Sequence, residues 1–375
     1  MTYLLGLAYL ILALIFKKNK KITFILAIIL ILLFGWAGEN ADYLIYLTRY
    51  EGYDSDKTEE ITEPLFTFIM KIFNDMGCSF EVYKIILAIF VITSIILITS
   101  KFTDNINYVL LLYFIYPFCM DVVQLRTTLA LVFLYFGFLN YFFQKSKVKK
   151  IILFCIFTFI AGMIHYSMLF YFILLIPMLI EDNKIKEGTL WIILLIEIAF
   201  VVAIGNLGQL SGNGTLVNKI NFVLTGAQKY NIHIVYLTTI RMIISFTLFY
   251  FIANYIYKNT KNESENKIII KSTIDFNKYI MFVVPLLGYT VDLYRLQTVL
   301  LLLDYITFSY YFDISERNPK EEGIFVILSV ILPILTLYLL VLNNNNINTV
   351  FFPLFENNTL LKWFVIKIFY NMIRK

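Results

Sequence analysis

The chain has 375 residues and a net charge of +5; 60% of its residues are hydrophobic and only 15% are charged. Soluble globular domains carry about 25% charged residues, so this composition excludes that class of protein. The basic residues are spread over many short connections, which is typical of membrane topology and not of a nucleic-acid surface. We therefore expect a protein embedded in the lipid bilayer, without a nucleic-acid partner.

Apolar runs of nearly membrane-spanning length follow one another from the first residues onward. The first run is interpreted as a membrane helix and not as a signal peptide, because its lysines follow the apolar stretch instead of preceding it. We place transmembrane helices at residues 2–16, 22–38, 81–100, 104–118, 126–143, 149–164, 166–180, 189–205, 238–257, 279–291, 296–312 and 324–342. Several runs fall short of the roughly 20 residues that cross a bilayer, so we expect about 12 spans, within a range of about 10 to 14. The sequence thus predicts an all-α polytopic membrane protein that forms one membrane domain over residues 1–375.

The positions of Lys and Arg orient these spans. Every second connection between spans, beginning with residues 17–21, lies on the same side of the membrane, and these connections hold 18 Lys and Arg. The connections on the other side are much longer in total, and up to residue 342 they hold nine. Positive charge accumulates on the cytoplasmic side of a membrane. We therefore expect the first set in the cytoplasm and the N-terminus outside.

Three connections on the outer side are long. The first, residues 39–80, is acidic and aromatic and is expected to contain short helices. The second, residues 206–237, is rich in Gly, Asn and Gln, and the third, residues 343–375, starts with consecutive asparagines and ends in a segment typical of an interfacial helix. Amides and tyrosines suit sugars, and they are equally typical of any wet loop in an Asn-rich protein.

The first outer loop predicts two helices with polar side chains. Asp42, Tyr46 and Tyr50 are spaced i, i+4 and i+8, which places them on one stripe of a helix. Glu63 precedes Pro64, so a helix is expected to begin there with the carboxylate near the positive end of its dipole. Helix capping alone would explain Glu63, and so would a role as a general base or a ligand for sugar hydroxyls.

Two arginines lie where apolar runs meet the outer membrane surface. Arg126 follows Gln124 at the start of one span, and Arg295 follows Tyr294 between two later spans. An arginine buried there needs anionic or carbonyl partners, and its planar fork of donors suits a phosphate. The other interpretation is that each side chain reaches the lipid headgroups, or that Arg295 pairs with Asp292. Two such arginines on one face favour a diphosphate site more strongly than either does alone.

His165 lies at the outer junction of two apolar runs. Imidazole titrates near neutrality, so His165 can accept a proton or donate to a phosphate. A histidine in this position also serves commonly as a structural residue at a helix end. The sequence leaves both roles open.

The sequence gives weak support to a metal site. Asp54 and Asp56 form an acidic pair of the kind that holds a divalent cation in the first external loop of metal-using membrane glycosyltransferases, but such pairs also arise by chance in an acidic loop. The three cysteines have no zinc-binding spacing, and the chain contains no glycine loop for phosphate. We therefore expect no metal and no cofactor.

The polar residues occur in an order that resembles the EpsG family of Wzy-like polymerases, which assemble bacterial exopolysaccharide and capsular polysaccharide. The motifs that carry the resemblance are Asp42-x3-Tyr46-x3-Tyr50, Glu63-Pro64-Leu65-Phe66, Gln124-Leu125-Arg126-x3-Ala130, His165-Tyr166-Ser167 and Tyr294-Arg295. Two departures bear on substrate choice: Thr127 stands where we expect glutamine, and the tail beyond Pro353 is longer than usual. The resemblance implies a GT-C-like fold in the bacterial cytoplasmic membrane, with the active site on the extracytoplasmic face.

The reaction that the resemblance implies is transfer of a growing glycan from undecaprenyl diphosphate onto a lipid-linked oligosaccharide repeat unit. The arginines that would neutralise the departing diphosphate are Arg126 and Arg295. The residues that would accept the proton of the attacking hydroxyl are Glu63, Asp42 and His165. Those that would contact sugars are Gln124, Tyr46, Tyr50 and Tyr294. With two arginines in place no metal is required, and a flippase and a chain-length regulator of the same pathway are expected as partners.

Three other functions compete with polymerisation. A flippase or transporter of lipid-linked oligosaccharides needs polar residues deep within spans and often shows internal repeats. A metal-dependent glycosyltransferase that adds a single sugar would depend on Asp54 and Asp56. A membrane acyltransferase would need a route for its acyl donor from the cytoplasm, and the lysine-rich inner loops offer no such site.

Overall fold

The computed structural model describes residues 2–52, 63–206, 232–261, 264–288, 291–314, 319–342 and 345–360. Within these ranges the chain is helical throughout and contains no strand, which confirms the predicted all-α class. It divides into two compact units. Unit 1 comprises Met1–Leu169 and Phe308–Lys375, and unit 2 comprises Phe170–Thr307. The single membrane domain stays a prediction.

The α-helices of the first half of the chain are α1 Thr2–Ile15, α2 Lys20–Gly35, α3 Tyr43–Glu51, α4 Pro64–Asp75, α5 Phe80–Phe102, α6 Ile106–Ile115, α7 Phe118–Val123, α8 Leu125–Phe143 and α9 Lys147–Ile164. Those of the second half are α10 Leu175–Leu179, α11 Asn183–Asn206, α12 Ile232–Asn259, α13 Glu265–Ile280, α14 Arg295–Ser309, α15 Pro319–Leu337 and α16 Phe351–Phe355. Short 3-10 segments include Tyr166–Leu174, Pro285–Gly288, Val291–Tyr294 and Tyr310–Asp313, and a π-helical turn covers Tyr338–Leu342.

Four helical stretches in the described residues are long and apolar enough to cross a membrane, which makes this a membrane protein. They are Phe80–Phe102, Leu125–Phe143, Val235–Asn259 and Lys320–Leu342. Each overlaps a predicted span. The total of about 12 spans and the GT-C likeness stay predictions.

Three predicted spans differ from the structure. The run 104–118 ends as a helix at Ile115, because Tyr116 is extended before Pro117 and the chain then begins the short helix α7. The run 166–180 starts as a 3-10 segment before α10. A continuous helix over 279–291 is wrong, since α13 ends at Ile280 and 3-10 turns follow around Pro285, which has no amide hydrogen for a helical bond.

The connection 258–278, predicted as a cytoplasmic loop, is mostly helix α13. Its start is capped by Ser264, whose hydroxyl accepts a hydrogen bond from the Lys267 amide. Apolar side chains such as Ile270 and Phe276 are buried along one side. Lys267, Lys271 and Lys278 therefore lie on a helix whose apolar face packs within unit 2.

The helical hairpin of α8 and α9 determines where the functional residues lie in unit 1. The two helices pack along each other, and Gly137 permits the close approach, since a Cβ there would lie 3.3 Å from Phe154 and Phe157. Only residues 144–146 connect them, so the start of α8 and the end of α9 meet at the same end of the hairpin. Helix α4 packs on α9, and α3 packs on α4.

Polar contacts between buried or half-buried side chains hold the helices of unit 2 together. The Asn277 amide donates to a carboxylate oxygen of Asp304 at 2.7 Å, which links α13 to α14. Lys186 pairs with Asp275 at 2.8 Å, which links α11 to α13. A polar group inside a membrane protein is costly unless it finds such a partner. These pairs therefore help to specify how the helices of this unit pack.

Candidate functional site

Glu63 is the centre of a polar cluster in unit 1. It directly precedes α4, and Pro64 occupies the first helical turn as predicted. Its side chain makes no capping hydrogen bond to the helix and is only 6% exposed. The two carboxylate oxygens instead face Arg126 and His165. Helix capping therefore does not account for this buried carboxylate.

Arg126 reaches the cluster from the first turn of α8. Its Nη1 donates to Oε2 of Glu63, and its Nε lies 3.4 Å from the hydroxyl of Tyr46. The guanidinium also lies 5.7 Å from the centroid of the Tyr46 ring, within the range of a cation–π contact. The side chain is 25% exposed. Arg126 is thus held by protein partners, while part of its side chain stays exposed.

His165 approaches Glu63 from the end of α9. Its backbone amide donates to the Ala161 carbonyl, which closes the last turn of the helix, and its Nδ1 lies 2.6 Å from Oε1 of Glu63. An ionised carboxylate accepts, so Nδ1 carries the hydrogen, and in the neutral form of the ring Nε2 then carries the lone pair. Within the described residues Nε2 makes no hydrogen bond. The geometry presents Nε2 as a base.

The electrostatics keep Glu63 ionised. Burial raises the pKa of this carboxyl, but the hydrogen bond from His165 and the charge and hydrogen bond of Arg126 outweigh burial, so the pKa lies below its ordinary value. Burial also raises the pKa of the Tyr46 hydroxyl, despite the lowering effect of Arg126. At neutral pH the cluster therefore contains a carboxylate and a protonated phenol.

Arg49 is a member of the cluster that sequence reasoning missed. It lies on α3, one turn after Tyr46, and its Nη1 is 4.0 Å from Oε2 of Glu63. From the sequence alone, Arg49 was used only in the count of basic residues that orients the spans. With Arg49 included, two arginines face one carboxylate, so these three side chains together carry a charge of +1, which favours an anion.

Comparison with known families identifies the family of the chain. The sequence model of the EpsG family matches residues 3–355, nearly the whole chain. The chain belongs to the EpsG family. This confirms the resemblance seen in the motifs and makes the chain a membrane protein of polysaccharide biosynthesis, in a family associated with glycosyltransferase-like polymerases. Neither the curated proteins nor the solved structures give a match.

Several of the motif residues of this EpsG-family chain support the cluster from α3. Tyr46 and Tyr50 lie on one buried stripe as predicted, and Asp42 stands at the start of the helix, where its charge acts on the Tyr46 hydroxyl. The Tyr50 hydroxyl donates to the Cys78 carbonyl at 2.8 Å, and its ring packs on Phe80. Tyr50 thus fixes α3 against the start of α5, and sugar binding by either tyrosine stays a prediction.

Gln124 lies at the break between α7 and α8. Its side chain is buried. Its backbone carbonyl accepts hydrogen bonds from the backbone amide and the hydroxyl of Thr128. Nearby, the Tyr113 hydroxyl donates to the Asp121 carboxylate at 2.8 Å, and the backbone carbonyl of Asp121 accepts a hydrogen bond from the Thr128 hydroxyl. These bonds fix the break, so Arg126 enters α8 from a rigid junction. Contact of Gln124 with a sugar stays a prediction.

Arg295 and Tyr294 belong to unit 2. Tyr294 ends the 3-10 segment Val291–Tyr294, and Arg295 begins α14. The Tyr294 ring lies 4.7 Å from the guanidinium of Arg241 on α12, a residue that sequence reasoning counted only as a topology signal. Since Arg126 belongs to unit 1, the pairing of Arg126 and Arg295 around one diphosphate stays a prediction.

Some predicted features lie outside the described residues. These are Asp54 and Asp56, most of the loop 206–237, and the end of the segment 343–375. Among the residues that the structure describes, no group of three or more His, Cys, Asp or Glu side chains is arranged to hold a metal ion.

Proposed function

We propose that this EpsG-family protein is a polysaccharide polymerase. It transfers a growing glycan from undecaprenyl diphosphate onto the terminal sugar of a lipid-linked repeat unit, on the extracytoplasmic face of the bacterial cytoplasmic membrane. The observation that carries the proposal is the cluster in which a buried carboxylate, Glu63, orients His165 beside Arg126. The proposed topology has about 12 spans, with the N-terminus outside.

In the proposed step a hydroxyl oxygen of the acceptor sugar attacks the anomeric carbon of the donor glycan. The bond from that carbon to the diphosphate oxygen breaks, and undecaprenyl diphosphate leaves with the bonding electrons. The proton of the hydroxyl passes to Nε2 of His165, which then becomes an imidazolium stabilised by Glu63. Glu63 itself is a poor proton acceptor, since its lowered pKa means that it holds a proton weakly.

The arginines supply positive charge for the leaving group. Arg126 has five N–H donors, and its contacts to Glu63 and Tyr46 engage only Nη1 and Nε. The remaining donors are available to phosphate oxygens in the charge-assisted geometry that arginine favours. Arg49 adds a second cation at the same carboxylate. Positive charge is therefore in place where negative charge develops on the departing diphosphate.

The direct test reconstitutes the purified full-length protein with undecaprenyl-diphosphate-linked repeat units and follows chain length on a gel. A ladder that forms with and without a chelator supports the proposal, and we expect His165→Ala to abolish it. The matched control is Asp275→Asn, which removes the carboxylate charge from an ion pair in unit 2. Wild-type protein that forms no ladder but moves intact repeat units across vesicles would overturn the proposal.

A transporter of lipid-linked oligosaccharides is the second candidate. Asp304 is buried in α14 and bonded to Asn277, and Arg241 is buried in α12. Ionisable residues inside membrane helices are typical of transport pathways. The vesicle arm of the same experiment measures this activity directly.

A further inference from the structure

Arg241 is the largest fully buried side chain of the described residues, and it lies in a membrane-spanning helix. Only 1% of the residue is exposed. A guanidinium keeps its charge in proteins, so its burial costs free energy unless the surroundings compensate the charge. An arginine in such a position is therefore expected to serve a function that an apolar residue cannot.

With the orientation predicted from the sequence, Arg241 lies near the outer membrane surface. The helix has 28 residues, so it is about 42 Å long at 1.5 Å per residue. A bilayer core takes about 20 residues, and counting back from Lys258 at the lysine-rich end puts the outer edge of the core near residue 238. Arg241 lies within about one turn of that edge. Arg295, at the first residue of α14, is likewise expected at an outer helix end.

Three contacts hold the chain around Arg295, at the start of α14. The Tyr294 ring stacks on the Arg241 guanidinium at 4.7 Å. The Gln297 side-chain amide donates to the backbone carbonyl of Met242 at 3.0 Å. Two consecutive residues of α12 thus contact the residues that precede and follow Arg295. From a third segment the Tyr171 hydroxyl donates to the Leu296 carbonyl at 2.5 Å. The backbone that carries Arg295 is thus fixed before any ligand arrives.

We propose that Arg241 is a positioning residue for an anion-binding arginine: it holds Tyr294, and through it Arg295, in the geometry that binds the diphosphate of a lipid-linked substrate. This inference rests on the proposed function, because that reaction supplies the diphosphate. The flat guanidinium matches the face of the Tyr294 ring. A lysine supplies the charge without the planar stack, and a methionine supplies neither.

Binding of a polyprenyl diphosphate to the full-length protein in nanodiscs tests the inference, with the corresponding monophosphate and alcohol as comparison ligands. We expect Arg241→Met to weaken diphosphate binding at least tenfold, to weaken monophosphate binding less and to leave alcohol binding unchanged. Arg241→Lys should restore part of the affinity. Should Arg241→Met fail to fold, Tyr294→Leu keeps the arginine and removes the ring, and it should give the same selective loss, whereas Tyr294→Phe should not.

A double-mutant cycle separates positioning from a general structural role. If Arg241 acts through Arg295, then adding Arg241→Met to Arg295→Met should cause little further loss of affinity. The control is Lys278→Met, which removes a cation stacked on Tyr250 in the same unit and should leave diphosphate binding unchanged. Equal loss for all three ligands, or full additivity in the cycle, would overturn the proposal.

The outcomes also distinguish this inference from the proposed function. Ladder formation together with wild-type diphosphate affinity in Arg241→Met would refute the role of Arg241 and leave the polymerase standing. Diphosphate binding that depends on Arg241, in a protein that makes no ladder, would support the role of Arg241 and refute the polymerase.

Discussion

Replacing Glu63 with glutamine is the sharpest test of the cluster, because the substitution keeps the shape and removes the charge. Glutamine can still contact Arg126 and His165, but its amide no longer holds the imidazole in one tautomer or stabilises an imidazolium. General base catalysis by a positioned side chain contributes about 10²- to 10⁴-fold. We therefore expect the rate of ladder formation to fall by about 100-fold or more.

The same substitution should also lower stability. Removing one partner of a fully buried ion pair costs about 3–5 kcal/mol. Here the Arg126 side chain is 25% exposed, so solvent screens part of the charge left behind, and we expect a loss of about 1–3 kcal/mol. Thermal unfolding in detergent measures this loss of stability. The control is Asp275→Asn, which removes another carboxylate from an ion pair.

The stability difference between wild type and Glu63→Gln should depend on pH in a defined direction. The pKa of Glu63 in the folded protein lies below its ordinary value of 4.5. The ionised carboxylate therefore contributes its full stability above that value, and the contribution is lost as the pH falls through the lowered pKa. The contribution of the carboxylate charge should therefore shrink in acid, as the pH falls below about 4.5. A ladder rate within threefold of wild type, measured on well-folded Glu63→Gln, would refute the assigned role.

Three further substitutions give expected outcomes. His165→Gln should reduce ladder formation about as strongly as Glu63→Gln, and adding it to Glu63→Gln should cost little more, which a rate measurement on the double variant checks. Arg126→Lys should keep the protein folded but slow polymerisation about tenfold or more, because lysine lacks the planar fork; a normal rate would contradict the diphosphate role. Tyr113→Phe should lower stability by about 1–3 kcal/mol in thermal unfolding, since Asp121 loses its buried donor. An unchanged unfolding temperature would contradict that account of the α7–α8 junction.

Local patterns in the sequence determined the class of the protein and the placement of many of its elements. Hydropathy predicted an all-α membrane protein and the ranges of α5, α8 and α9, because burial in lipid demands long apolar helices. Pro64 predicted the start of α4, because proline fits the first turn of a helix, where its missing amide hydrogen is not needed. Family motifs named Glu63, Arg126 and His165, although each had a competing structural explanation.

Only the tertiary structure shows which side chains these residues contact. Glu63 meets partners 63 and 102 residues further along the chain, and a contact of that range depends on how helices pack and not on any local pattern. Arg49 and Arg241 looked like ordinary basic residues in the sequence, because their neighbours in space come from other helices. The carboxylate that the sequence offered as a helix cap or a base became the residue that orients an imidazole.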